Sequence, residues 1–398
     1  MRYFSFTGGL LLLMLSAFSL QAQDINNQQV QWHGFVTQGY IKTSDNSVFG
    51  DSEKGTFDFT ELGLSASYRA SEKLLLAAQG LSRNAGEMSD GSPSIDFLLM
   101  DYQLFNVESG TGGIRVGRIK NSLGLYNDTR DVAFTRPGFL VPQVIYFGKV
   151  RNLVLSSDGV MLYRDIFTDN GNFLLTGGAG KTILDKNVEI AYLFEDRVGK
   201  LESDDGATWL ASGFYTTPDE RLKLGLSGAV SSMDYSPGAG DFLQAGRTSF
   251  KFWVASFQYN WEKWSLSAEY MQEPIVWKQY GPFFPDNKAT AQGYFLQTVF
   301  RLKPEVELML RYEEGFADKD DRRGRAISTL TGGSVPGFSQ YSKIITTGLR
   351  WDLSPSFMVR AELQLHEGTF ILSSRENADP TNLDKNWNQF SLSASYRF

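Results

Sequence analysis

From Gln31 to the last residue the sequence repeats one motif: short runs of alternating apolar and polar residues, joined by connections that are by turns tight and long. The last run, WNQFSLSASYRF, shows it plainly. Phe390, Leu392, Ala394, Tyr396 and Phe398 alternate with Gln389, Ser391, Ser393, Ser395 and Arg397. A strand sends successive side chains to opposite faces, so each run has one apolar and one polar side. The runs are Gln31–Ile41, Phe57–Arg69, Lys73–Arg83, Ile95–Asn106, Ile114–Ile119, Gly159–Ile166, Phe173–Lys181, Thr208–Thr217, Leu222–Met233, Ser249–Tyr259, Trp264–Met271, Gly293–Leu302, Val306–Glu313, Lys343–Trp351, Phe357–His366 and Trp387 onward. That is about sixteen strands, with seven tight turns alternating with eight longer loops. Asp169-Asn170-Gly171 is a hairpin signal of the usual kind. Long loops are expected at roughly 42–56, 84–94, 120–157, 182–207, 234–248, 272–292, 314–342 and 367–386, and for the stretch 183–205 both readings stay open, a long loop throughout or one that holds a helical or strand-like piece.

Alternation alone leaves open which side looks outward, since a soluble sandwich or propeller has the same pattern with its apolar side inward. Three features favour an apolar outside. The better runs are about ten residues long, which at the usual tilt matches a bilayer's apolar band of roughly 25 Å. Rings gather near run ends on the apolar side, among them Tyr68, Trp253, Tyr259, Trp264, Tyr270, Tyr312 and Trp351, as suits the two membrane–water interfaces. The runs also lack the proline that guards exposed sheet edges, as expected of a sheet without edges. The fold expected is therefore an all-β, antiparallel transmembrane barrel. Aromatic residues make up 14% of the chain, yet mean hydropathy is only −0.25, because a greasy outside and a wet inside average out.

Arg2, the apolar run Leu10–Leu20 and the small Ala22 before Gln23-Asp24 describe a secretory leader. Cleavage after Ala22 is expected, which makes residues 1–22 the signal peptide and 23–398 the barrel. Cysteine is absent, which excludes disulfides and thiolate metal sites. A net charge of −7 argues against nucleic acid as a partner. No cofactor or metal site is expected. Asp318, Asp320 and Asp321 are interleaved with Lys319, Arg322, Arg323 and Arg325, the pattern of a solvated loop rather than a calcium site. An enzyme is not expected either. The chain has two histidines, His33 and His366, and no G-x-S-x-G, and Gly177–Lys181 lacks the spacing of a phosphate loop.

The ending on Tyr396 and Phe398 resembles the C-terminal strand of Gram-negative outer-membrane barrels, and the whole layout resembles the sixteen-stranded general porins. The resemblance implies short periplasmic turns, long extracellular loops and both termini on the periplasmic side. It also implies residence in the cell outer membrane among its lipids and lipopolysaccharide, a homotrimer, and recognition of the terminal Tyr396 and Phe398 by the barrel-assembly machinery.

On this reading the polar side lines a lumen and carries Glu61, Arg69, Arg83, Asp101, Arg115, Glu269, Arg301, Glu307, Arg311, Glu313, Arg360, Glu362 and His366. Mixed charges of this number keep an interior hydrated, and opposed across a narrow place they orient polar solutes. In general porins the third loop folds inward and constricts the barrel. Its counterpart here supplies Lys120, Asp128, Arg130, Asp131 and Arg136 as constriction residues, followed by Lys149 and Arg151. Five basic against two acidic residues between Lys120 and Arg151 depart from the acidic loop of many porins and favour anionic or mixed solutes. In the simpler alternative, Arg130 and Asp131 pair with the wall and only hold the loop. Two functions are thus expected in competition: a passive diffusion channel for small hydrophilic or anionic solutes, or a structural or adhesion barrel with a blocked lumen and partner-binding loops.

Overall fold

The computed structural model describes residues 30–193, 199–203 and 206–398; the expected leader lies outside them. The strands are β1 Gln31–Thr43, β2 Thr56–Arg69, β3 Leu74–Ala85, β4 Asp90–Val107, β5 Gly110–Lys120, β6 Ser156–Thr168, β7 Gly171–Thr182, β8 Lys200–Ser203, β9 Thr208–Thr216, β10 Leu222–Ser236, β11 Gly246–Asn260, β12 Trp264–Lys278, β13 Asn287–Lys303, β14 Val306–Phe316, β15 Tyr341–Ser354, β16 Phe357–Gly368 and β17 Asn386–Arg397. Every pairing between them is antiparallel. β8 and β9 both pair with β10 and share one place in the ring, so the barrel has sixteen positions. Pairing of β1 with β17, from Phe35↔Arg397 to Thr43↔Gln389, closes it. At the seam Gly34 and Phe398 exchange two backbone hydrogen bonds of 3.0 Å. The Phe398 ring lies on Gly34, where a Cβ would come within 2.2 Å of it.

The apolar side faces out. Phe390, Leu392 and Tyr396 are 42%, 46% and 37% exposed, whereas Gln389, Ser391, Ser393 and Ser395 are all buried. Each expected run lies within a strand, overhanging it by no more than one residue. The differences are extensions. β4 begins at Asp90, β12 continues to Lys278 and β13 begins at Asn287, which leaves only 86–89 and 279–286 as connections where longer loops were expected.

The physical reason is that polarity inverts along single strands. In the half of β11 next to the tight turn, Ala255, Phe257 and Tyr259 face out and Ser256 and Gln258 face in. In its other half Arg247, Ser249 and Lys251 face out, while Phe250, Phe252 and Val254 are buried inside. β12 does the same, from Leu266 and Tyr270 outside over Ser267 and Glu269, to Gln272 and Lys278 outside over Met271, Ile275 and Trp277. The outer half of this wall is built like a water-soluble barrel. Proline also enters two strands, contrary to expectation, as Pro93 in β4 and Pro274 in β12. At Pro274, which has no N–H to donate, the β11–β12 ladder breaks between Phe250↔Ile275 and Trp253↔Gln272.

The stretch 183–205 holds a short helix, Lys186–Leu193, and β8. Val188, Tyr192 and Leu193 of that helix join the inward residues of β10–β13 in one apolar cluster inside the barrel. Tyr192 Oη donates to Glu273 at 2.5 Å, and Trp277 Nε1 donates to the Tyr192 carbonyl at 3.0 Å.

Candidate functional site

The connection between β5 and β6, residues 121–155, folds into the barrel. It has no regular structure beyond turns at Asn127–Thr129, Ala133–Thr135 and Gly148–Val150 and a single helical turn, Arg151–Leu155. Its backbone must therefore find partners elsewhere, and the wall supplies them. Glu269 accepts from Leu125 N at 2.8 Å and from Tyr146 Oη at 2.6 Å. Glu362 accepts from Phe139 N at 2.8 Å, and Glu313 from Val144 N at 3.3 Å. Arg350 and Arg360 donate to the carbonyls of Phe134 and Arg136. Leu123, Tyr126, Val144, Ile145, Tyr146 and Phe147 pack into the same apolar cluster as β10–β13. The loop is thus glued on one side by apolar contact and tied on the other by inward carboxylates and guanidiniums.

The constriction residues divide into two kinds. Lys120 pairs with Asp96 at 2.6 Å and with Asp131, and Arg151 completes that cluster on Asp131. Asp96 points inward because it is the extra residue of a bulge, with Gln79 pairing Phe97 and Gly80 pairing Ile95. Arg136 pairs with Glu61 at 2.8 Å, which Arg83 also reaches at 3.3 Å. Arg130 donates to the Tyr146 carbonyl at 2.6 Å. Arg130, Asp131 and Arg136 are buried, so their charges lie inside protein rather than on a water surface. Burial pulls Arg130 and Arg151 down to about 9 and Lys149 to about 8.

Asp128 behaves differently. With Thr129 and Thr135 it is exposed, on the loop surface that faces away from the tied wall. It is open to water yet enclosed by the barrel, and that desolvation raises its carboxyl to about 6 against the pull of the Ser122 hydroxyl, Lys120, Arg115 and Lys223. Arg115 pairs with Asp101 at 2.9 Å, which also accepts from Tyr163 Oη at 2.9 Å, and Lys223 lies over the Phe214 ring. These groups line the wall from β4 to β10 opposite Asp128.

Of the other expected lining residues, Glu61, Arg83, Glu269, Arg311, Glu313, Arg360 and Glu362 are buried beneath the loop and His366 is buried against Trp387, while Arg69 and Arg301 are exposed near the tight turns, Arg301 pairing with the half-buried Glu307. At the long-loop end a cleft of about 50 Å³ opens between residues 47–49, Lys149 and Ile371–Ser373. Sequence reasoning missed the inward apolar side of β10–β13. Its signal was present, because Phe250, Phe252 and Val254 alternate with Trp253 and Ala255, making both sides apolar at once.

No family model matches the chain, and no curated protein matches it in sequence. Solved structures do match its fold. A loop L8 deletion mutant of OmpT, an outer membrane protein of Vibrio cholerae, superposes with a TM-score of 0.57 at 11% identity, over 93% of this chain and 99% of that one. The anion-selective porin from Comamonas acidovorans gives 0.57 at 13%, over 93% and 99%. The outer membrane channel DcaP of Acinetobacter baumannii gives 0.56 at 13%, over 93% and 97%. The chain folds as a closed barrel of the outer-membrane porin type.

Proposed function

We propose that this protein is an outer-membrane channel of the porin type that passes small hydrophilic or anionic solutes between its third loop and the wall from β4 to β10. The observation that carries the reading is the inward loop itself. It is fixed to one side of a closed barrel and presents exposed Asp128, Thr129 and Thr135 to a facing wall that bears Arg115 and Lys223. A wall of mixed charge in water allows polar solutes to pass without binding tightly. The buried arginines act here as fasteners, and the charges open to water set any ion preference.

A leader cleaved near Ala22, long loops on the extracellular side, a homotrimer, lipopolysaccharide contact and assembly directed by Tyr396 and Phe398 belong to the same reading. The second reading, a barrel with a blocked lumen, is favoured by one observation: the inward groups of β1 and β14–β17 are mostly buried. Conductance of the purified protein in planar bilayers separates the two. Stable, salt-dependent unit currents support the channel, and a silent, correctly folded barrel refutes it.

A further inference from the structure

Beneath the third loop, on the side away from the proposed solute path, the inward wall carries guanidiniums that are nearly all matched. Arg136 and Arg83 share Glu61, Arg311 holds Glu313 at 2.7 Å, and Arg350 holds Asp352 at 2.9 Å. On the wall Arg360 is the exception; Arg130 of the loop also lacks a carboxylate, but it donates to the Tyr146 carbonyl and to Asn127. Arg360 is 2% exposed, and among the described residues no carboxylate lies within ion-pair distance of it. Its Nη2 donates to the carbonyls of Arg136 at 2.9 Å and Ala133 at 3.4 Å, while Nε and Nη1 have no partner. The remaining carboxylate nearby, Glu362, is engaged by Phe139 N and Gln364 Nε2.

Two more orphan donors accompany these. Ser393 stands directly opposite Arg360 in the β16–β17 register, on the same inward side, and its buried hydroxyl has no partner. Arg136, whose carbonyl Arg360 holds, leaves its own Nε unpartnered. A buried guanidinium without a counter-charge is strongly unfavourable, and buried donors are almost always satisfied. Ordered water can satisfy an N–H, and this suffices at Arg311, whose orphan Nη2 belongs to a group already neutralised by Glu313. Water cannot neutralise Arg360.

We propose that Arg360, with Ser393 and the Nε of Arg136, binds a small inorganic anion of the halide class, chloride in an ordinary saline medium. Each of these unpartnered atoms can donate, so the place selects a group that accepts from them. Seated there, the anion bridges the loop backbone at Ala133–Arg136 to the β16–β17 wall and helps to hold the loop in place.

The test uses the full barrel purified in detergent, with thermal unfolding followed as chloride replaces gluconate at constant ionic strength. The midpoint is expected to rise by about 2 °C for each tenfold increase in chloride once the site begins to fill. Ser393→Ala, which removes one donor and no charge, should move this response to higher chloride. Arg360→Gln should abolish it; if that variant does not fold, Ser393→Ala and the wild type still decide. A crystal grown in bromide should show anomalous density between Arg360 and Ser393. A midpoint indifferent to the choice of anion overturns the proposal, as does a bromide-grown crystal in which water alone fills the place.

Discussion

Lowering the pH through about 6 is expected to make the lumen more anion-preferring, and replacing Asp128 with Asn should fix it in that state. The carboxyl of Asp128 is raised to about 6 by its enclosure, so it is charged at neutral pH and neutral at pH 5. Protonation therefore adds one net positive charge beside the path. An ion passing at ~5 Å in water-filled space feels about 0.8 kcal/mol from a unit charge, a factor of about four in local concentration. The factor acts in opposite senses on anion and cation, so the permeability ratio changes by up to about sixteenfold, and by less at high salt. The assay is the zero-current potential across a bilayer in a potassium chloride gradient, read from pH 5 to 7.5. The wild type should shift toward anions as pH falls, and Asp128→Asn should show the acidic value at every pH. A wild-type potential flat across this range, or a step that survives in Asp128→Asn, refutes the reasoning.

Arg136→Gln removes a buried partner of Glu61 and should destabilise the seating of the loop by about 3 kcal/mol, read as earlier protease cleavage within 121–155, while the zero-current potential moves less than in Asp128→Asn. Phe252→Asp places a charge in the apolar cluster of the outer half-barrel and should cost about 3–5 kcal/mol, seen as loss of heat-modifiable protein; Lys251→Gln, one residue away and facing out, should be neutral by the same measure. Deleting Phe398 should lower the yield of heat-modifiable barrel in outer-membrane fractions, because the ring closes the seam on Gly34 as well as ending the chain. Normal yield in cells would count against an assembly role for that residue.

Period-2 alternation made the barrel legible because the register of a strand is written in every second residue, and a membrane band enforces it without exception over its own thickness. Where the band ends the rule reverses, and the sequence reading ended with it. At Met271 the pattern changes sides, so 272–292 read as a loop although most of it is strand. The site was legible to a smaller degree. A long, charged connection after β5 identified the loop, but a basic count could not say which charges meet water. That depends on pairings remote in sequence, such as Arg136 with Glu61 and Arg360 with the Arg136 carbonyl. The same pairings explain why so basic a loop need not make a strongly anion-selective pore. Of its arginines, Arg136 pairs with Glu61 of the wall while Arg130 and Arg151 are taken up within the loop itself, and in the proposed channel the one loop carboxylate exposed opposite Arg115 and Lys223 becomes the charge that permeating ions feel.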